Sequence, residues 1–250
     1  MKLTGNTIFI TGGGSGIGRG LAEALHKLCN EVIISGRRLG VLAEVTSANP
    51  GMKSIELDIA DPASIAAVAK KLVADYPKLN VLINNAGIMI PDAVQGEVDD
   101  DIVTSIVTTN LLGPIRMTSA LIEHLKQQPS ASVINVTSGL AFIPLAITAT
   151  YSATKAALHS YSLSQRYLLK DSSVRVLELA PPYVQTELTG PNQLSDPRAM
   201  PLQAFIDETI QSLGTDADEV LVKNVDFLRD ATGRGDSAFT TKFNDMFAGH

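Results

Sequence analysis

Thr7-Ile-Phe-Ile-Thr11-Gly12-Gly13-Gly14-Ser15-Gly16-Ile17-Gly18 joins a short apolar run to a glycine cluster. A helical pattern starts at once, with Ile17, Leu21, Ala24, Leu25 and Leu28 on one face. The run is apolar throughout rather than alternating, which fits a strand covered on both sides in a parallel sheet. Glycines at such a junction let the backbone turn tightly and approach a pyrophosphate, whose charge the helix N-terminus meets. Most isolated glycine clusters are plain turns, and a loop of this kind also serves methyltransferases. The flanking strand and helix make it a nucleotide-binding candidate.

Outward from this point the same alternation repeats. Strands are predicted at Val32–Ser35, Ser54–Leu57, Asn80–Asn84, Ser132–Thr137 and Val174–Leu179. Helices are predicted at Arg38–Thr46, from Asp61 (N-cap) and Pro62 to about Tyr76, from about Asp99 to Leu125, and over about 151–170. Repeated β-α-β units with right-handed crossovers give an α/β, doubly wound parallel sheet, a Rossmann-type three-layer sandwich in a single domain. After Leu179 the pattern changes. Residues 181–201 hold five prolines and Gly190, followed by helical patterns at about 201–213 and 217–230. This reads as a C-terminal helical lid rather than a further β-α unit. Gly233, Gly235 and nearby charges interrupt the last stretch, where only Ala238–Thr241 could extend, so six strands are expected.

Composition sets limits on function. The 250 residues are 45% hydrophobic, enough for a sizeable core, with no run of eighteen apolar residues that would suggest a membrane span. Met1 to Asn6 has no apolar signal region, so a cytoplasmic location is expected. The net charge of −6 without a basic block argues against nucleic acid as a partner. Cys29 is alone, which excludes an internal disulfide and a cysteine zinc cluster, and it is expected to pack as a small hydrophobe. His26, His124, His159 and His250 show no metal-ligand spacing, and no metal is expected.

Two further places carry chemistry. Ser138 follows the apolar run Val133–Val136, and Tyr151 and Lys155 lie four apart at the start of a helix, on one face. A phenol beside an ammonium is expected to titrate below its ordinary pKa, and could exchange a proton with a carbonyl or alcohol oxygen held by the Ser138 hydroxyl. The second place is the end of the second strand, Ser35-Gly36-Arg37-Arg38. A carboxylate there would bind a ribose 2′-hydroxyl, but none is present. Two arginines at a helix start oppose its dipole unless an anion such as a 2′-phosphate sits there. Arg37 is the preferred phosphate contact, and Arg38 can be a solvated side chain.

With these pieces in place, the chain resembles the short-chain dehydrogenase/reductase family over roughly residues 5 to 187. The matching motifs are Thr11-Gly-Gly-Gly-Ser-Gly-Ile-Gly18, Asp58, Asn84-Asn-Ala-Gly87, Asn110, Ser138 and Tyr151-Ser-Ala-Thr-Lys155. The resemblance implies a catalytic tetrad of Asn110, Ser138, Tyr151 and Lys155. Tyr151 would be the acid/base, Lys155 would also hold the nicotinamide ribose, and Asn110 would anchor a relay water. It implies cofactor contacts from Gly12, Gly14, Ser15, Gly16, Ile17, Gly18, Arg37, Asp58, Ile59, Asn84, Ala86 and Gly87. Beyond the sixth strand it implies Pro181, Val184 and Thr186, although Pro182 stands where the family usually has Gly. That Pro-Pro variant, with Thr137-Ser-Gly-Leu-Ala141, is similar to a branch called DltE-like oxidoreductases. On this footing, residues 1–130 form mainly the cofactor-binding half, 131–187 the catalytic part, 188–215 the substrate lid and 216–250 a C-terminal helix and tail.

The expected activity is hydride transfer between NADP(H), preferred over NAD(H), and a small aldehyde, ketone or alcohol. Ser138, Leu140, Tyr151 and Tyr183 are the candidate substrate contacts. The alternative is a cofactor-binding regulator or scaffold that has lost catalysis. The segment Leu140–Leu145 and lid residues Tyr183, Leu188 and Leu194 are apolar, which suits an uncharged substrate, or else they only pack the lid. The resemblance further implies a homodimer through the helices near 99–125 and 151–170. The expected lack of a seventh strand argues against the family's tetramer.

Overall fold

The computed structural model describes residues 1–92, 94–233 and 236–246. Among these residues, seven parallel strands form one sheet in the order β3-β2-β1-β4-β5-β6-β7. They are β1 (Thr7–Thr11), β2 (Glu31–Gly36), β3 (Lys53–Glu56), β4 (Leu79–Asn84), β5 (Ala131–Val136), β6 (Val174–Ala180) and β7 (Glu219–Leu221). The helices are α1 (Gly16–Lys27), α2 (Leu39–Ala48), α3 (Pro62–Asp75), α4 (Asp100–Val107), α5 (Gly113–Lys126), α6 (Ala149–Leu169), α7 (Leu202–Leu213), α8 (Lys223–Arg229) and α9 (Asp236–Asp245). Among the described residues no helix is long and apolar enough to cross a membrane.

The two-residue period of a strand sends successive side chains to opposite faces, and both faces are covered. Ile8, Ile10 and Ile34 pack with Leu21 and Leu25 of α1, Leu42 of α2 and Phe205 of α7. Phe9, Ile33, Leu82 and Val133 pack with Leu72 of α3 and with Met117 and Leu121 of α5. Local signals start the elements where expected. Asp61 caps α3 by accepting from the Ala63 and Ser64 amides, with Pro62 as first helical residue. The sheet order changes direction between β1 and β4, which opens a crevice at the carboxyl ends of those strands.

Three expectations are corrected. The sheet has seven strands, not six. The stretch expected as a C-terminal helix and tail holds β7, α8 and α9 among its described residues, and the segment after β6 does complete a β-α-β unit through α7. β7 is only three residues long and sits inside a stretch with helical spacing. Its extended form comes from pairing with β6, as Val220 meets Leu179 and becomes fully buried. Ala238–Thr241 lies in α9 instead, and Gly235 and His250 fall outside the described residues. With a seventh strand present, the reason for excluding a tetramer disappears. The helix expected over 99–125 is interrupted by a π-helical turn, Thr108–Leu112. Pro114 has no N–H to offer the carbonyl four residues earlier, that of Asn110, and the Gly113 amide bonds Thr108 O in the wider pattern. Cys29 is exposed after α1 with φ of 60°, at a helix end where glycine is usual, and is not packed inside.

Candidate active site

The cradle begins with the glycine turn. Gly12 has φ of +68°, and a Cβ there would lie 2.9 Å from Ala86 Cα. A Cβ on Gly18 would lie 2.3 Å from Gly12 O, so α1 can start this close to the turn only without a side chain. Ser15 is the N-cap of α1 but makes no side-chain cap bond, which leaves the first amides of a twelve-residue helix for another acceptor. Gly14 packs toward Val41, Ile17 lies against the core, and Gly16 faces Thr186. Thr186 brings the root of the lid over the turn, and the Gln193 amide donates to its Oγ1 at 3.1 Å.

The asparagine pair at the end of β4 divides its labour differently from expectation. Asn84, expected to line the cofactor, is buried on the α5 side of the sheet. Its amide donates to Thr118 Oγ1 and Asn135 Oδ1, both at 2.9 Å. Asn85 is the residue that reaches the glycine turn, donating to Thr11 O at 3.0 Å and Gly12 O at 3.1 Å. Thr11 Oγ1 accepts from the Asn85 and Ala86 amides at 3.0 Å each. The doublet could have been resolved by alternation alone, because Asn84 shares a strand face with the core residue Leu82.

Past β2, Arg37 borders a depression of about 390 Å³ with Glu56, Asp58, Asp61 and Ser64. Two of those carboxylates already serve backbone amides, Asp58 from Ala60 at 2.9 Å and Asp61 at the cap of α3. Arg38 is exposed, as a solvated side chain would be, and its Nη2 reaches Ser15 Oγ at 3.5 Å. A Cβ on Gly36 would meet only Leu42 at 3.8 Å, so room remains where a carboxylate is missing. Ile59 is buried and fills the space opposite Gly113.

The four tetrad residues come together. Tyr151 and Lys155 are buried on α6, and Lys155 Nζ is 5.6 Å from the Tyr151 ring centroid. Lys155 Nζ donates to Val136 O at 2.7 Å, keeping two more donors. Ser138 Oγ accepts from the Leu140 amide at 3.1 Å, and its hydroxyl is near enough to Tyr151 to lower the phenol's pKa in part. Asn110 is fully buried in the π turn, where it donates to Ile88 O at 2.8 Å and accepts from the Ile88 amide at 2.9 Å. Gly87 lets these groups meet, because a Cβ there would lie 3.3 Å from Asn110 Oδ1 and 3.7 Å from Lys155 Nζ. Thr154, missed in the sequence, donates to Tyr151 O at 2.7 Å and lies 3.5 Å from Asn110 Nδ2.

Electrostatics correct the expected phenol. Burial pushes Tyr151 up to about 12, and the nearby Ser138 hydroxyl offsets this only in part. Burial pushes Lys155 down to about 8. Desolvation outweighs attraction between the pair, because the ammonium is turned to the Val136 carbonyl. Tyr151 thus holds its proton at neutral pH and is set as a donor.

The remaining candidates lie around this centre. Pro181 O accepts from the Gly139 amide at 2.8 Å, and Val184 is buried in the core. Leu140 packs beside Ile143, Val225 and Leu228. Tyr183 is partly exposed, with its hydroxyl donating to Asp196 at 3.2 Å, and Leu188 and Leu194 are exposed on the lid. Arg198 is paired with Asp196 at 2.8 Å.

A glycine turn at the β1–β4 switch point, with a buried Tyr–Lys pair on α6, is the arrangement of an oxidoreductase of the doubly wound class. The chain belongs to the short-chain dehydrogenase family, whose model matches residues 6–196, and within it to a DltE-like branch. The uncharacterized oxidoreductase DltE of Bacillus subtilis (strain 168) is 41% identical over 239 residues, covering 93% of this chain and 94% of its own. Among solved structures, a short chain dehydrogenase from Burkholderia cenocepacia J2315 in complex with NADP superposes with a TM-score of 0.84 at 26% identity, covering 97% of this chain and 98% of its own. The 3-ketoacyl-(acyl-carrier-protein) reductase from Brucella melitensis, complexed with NADH, has a TM-score of 0.77 at 27% identity and covers 86% and 93%.

Proposed function

We propose that this oxidoreductase transfers hydride between NADP(H) and a small, uncharged, partly apolar aldehyde or ketone, or the matching alcohol. The observation that carries the reading is the convergence of Ser138, Tyr151, Lys155 and Asn110 beside Gly87, next to an uncapped glycine turn. A bound nicotinamide would supply or accept the hydride. Gly12, Gly14, Gly16, Gly18 and the α1 amides would hold its pyrophosphate, Arg37 and Arg38 its 2′-phosphate, and Lys155 its ribose. Ser138 orients the substrate oxygen by its hydroxyl, and Tyr151 gives that oxygen a proton. The Lys155 ammonium then stabilises the phenolate left behind. A silent scaffold fits less well, because it would bear the cost of burying an ammonium without use for it.

The two solved relatives hold different cofactors, so the family fold alone does not choose between them. The preference for NADP(H) rests on Arg37, Arg38 and the empty place at Gly36. NADPH consumption across a panel of aldehydes and ketones tests the substrate class, and activity confined to phosphorylated sugars would overturn it. Assembly is a separate expectation. Leu163, Tyr167 and Leu168 leave an apolar face exposed on α6, and we expect a two-fold dimer through α4, α5 and α6. Light scattering after size exclusion should give this dimer or a tetramer built from it, and a monomer at micromolar concentration would contradict it.

A further inference from the structure

β6 runs Val174-Arg-Val-Leu-Glu178-Leu-Ala180, and Glu178 is fully buried. A carboxylate out of water is costly unless its oxygens are bonded. Both are. Thr137 Oγ1 donates to Oε1 at 2.6 Å, and His159 Nδ1 meets Oε2 at 2.7 Å. Thr137 immediately precedes Ser138. His159 lies four residues past Lys155, on the same face of α6. One carboxylate therefore fastens the exit of β5 to the helix that carries Tyr151 and Lys155. The backbone adds to the fastening, with Thr137 N donating to Leu179 O and Gly139 N to Pro181 O, both at 2.8 Å. The His159 ring stands edge-on to Phe142 at 5.3 Å, just past Ser138, and the Arg229 guanidinium lies 5.0 Å over Phe142.

The donor atoms of His159, Glu178 and Glu219 lie within 4.8 Å of one another, a spacing a divalent cation could use. Arg229 takes that role instead, donating to both Glu219 oxygens at 2.9 and 3.1 Å. The cluster is satisfied from within the chain.

We propose that Glu178 is a positioning residue that, through Thr137 and His159, sets Ser138 against Tyr151 and Lys155. This rests on the catalytic reading above. Glu178→Leu removes both links, and Thr137→Val removes one should the first variant fail to fold. Each is expected to lower kcat about 10- to 100-fold, as for a misplaced reacting group, with KM for NADPH little changed. The isotope effect with NADPH deuterated at C4 should rise in both as hydride transfer becomes limiting. Thr137→Ser should restore kcat. Ultraviolet titration of the Tyr151 phenol in the NADP+ complex, taken against Tyr151→Phe, gives a readout without turnover. Its midpoint should move up in Glu178→Leu and Thr137→Val as the Ser138 hydroxyl moves away from the phenol. Wild-type kcat, isotope effect and phenol midpoint in both variants would overturn the positioning role. Undiminished turnover in Tyr151→Phe would instead remove the catalytic reading, and the phenol titration would still judge the clamp.

Discussion

Tyr151→Phe is expected to cut turnover by about 10²- to 10⁴-fold, the contribution of one well-placed general acid, while NADPH binding stays close to wild type. The substitution removes a buried hydroxyl and keeps the ring, so packing is preserved. The pH dependence follows from the same pair. Tyr151, at about 12, holds its proton throughout the working range. Lys155, at about 8, does not. Below that pH the ammonium is present to stabilise the phenolate formed when the proton is given away. Above it Lys155 becomes neutral and that stabilisation is lost. Reductive kcat/KM should therefore be level at neutral pH and fall as the pH rises past Lys155. A reductive profile that climbs through this range would contradict the assignment. Lys155→Ala should damage both turnover and cofactor binding.

The second large effect is on cofactor choice. Arg37→Asp should erase or invert a preference for NADPH, since a charge-assisted contact contributes about 1.5–3 kcal/mol, or roughly ten- to a hundredfold. The setting is contested, because Glu56, Asp58 and Asp61 share the depression with Arg37 and repel an added phosphate. Commitment of Asp58 and Asp61 to backbone amides leaves the guanidinium available. Arg38, reaching toward Ser15, adds charge from the other side. The ratio of kcat/KM for NADPH and NADH in wild type and variant measures this, and equal wild-type values would sink the idea.

Most of the fold was legible because its signals are local. β1, β4 and β5 are apolar on both faces, and Asp61-Pro62 marks a helix start without help from distant residues. β7 was not legible, because its three residues become a strand only by docking on β6. The π turn depends on Pro114 and on Asn110 bonding both backbone groups of Ile88, a long-range arrangement that helical periodicity does not carry. At the site, Tyr151, Lys155 and Ser138 could be placed from sequence by spacing and strand ends, whereas Asn110 came from family resemblance alone. The phenol was misjudged for a physical reason. Sequence shows that Lys155 is near Tyr151, but not that both are dry or that the ammonium faces Val136 O. Glu178 left a visible mark, a lone carboxylate inside an apolar strand. Its partners, 41 and 19 residues away, appear only in the folded chain.

The most direct measurement follows the hydride itself. NADPH carrying deuterium at both nicotinamide C4 positions should be oxidised with an uncharged aldehyde or ketone, and the alcohol formed should carry one deuterium on its carbinol carbon. The label should appear with wild-type protein and be nearly absent with Tyr151→Phe. NADPH loss without deuterium in the product, or equal labelling by Tyr151→Phe, would contradict hydride transfer with Tyr151 as the proton donor.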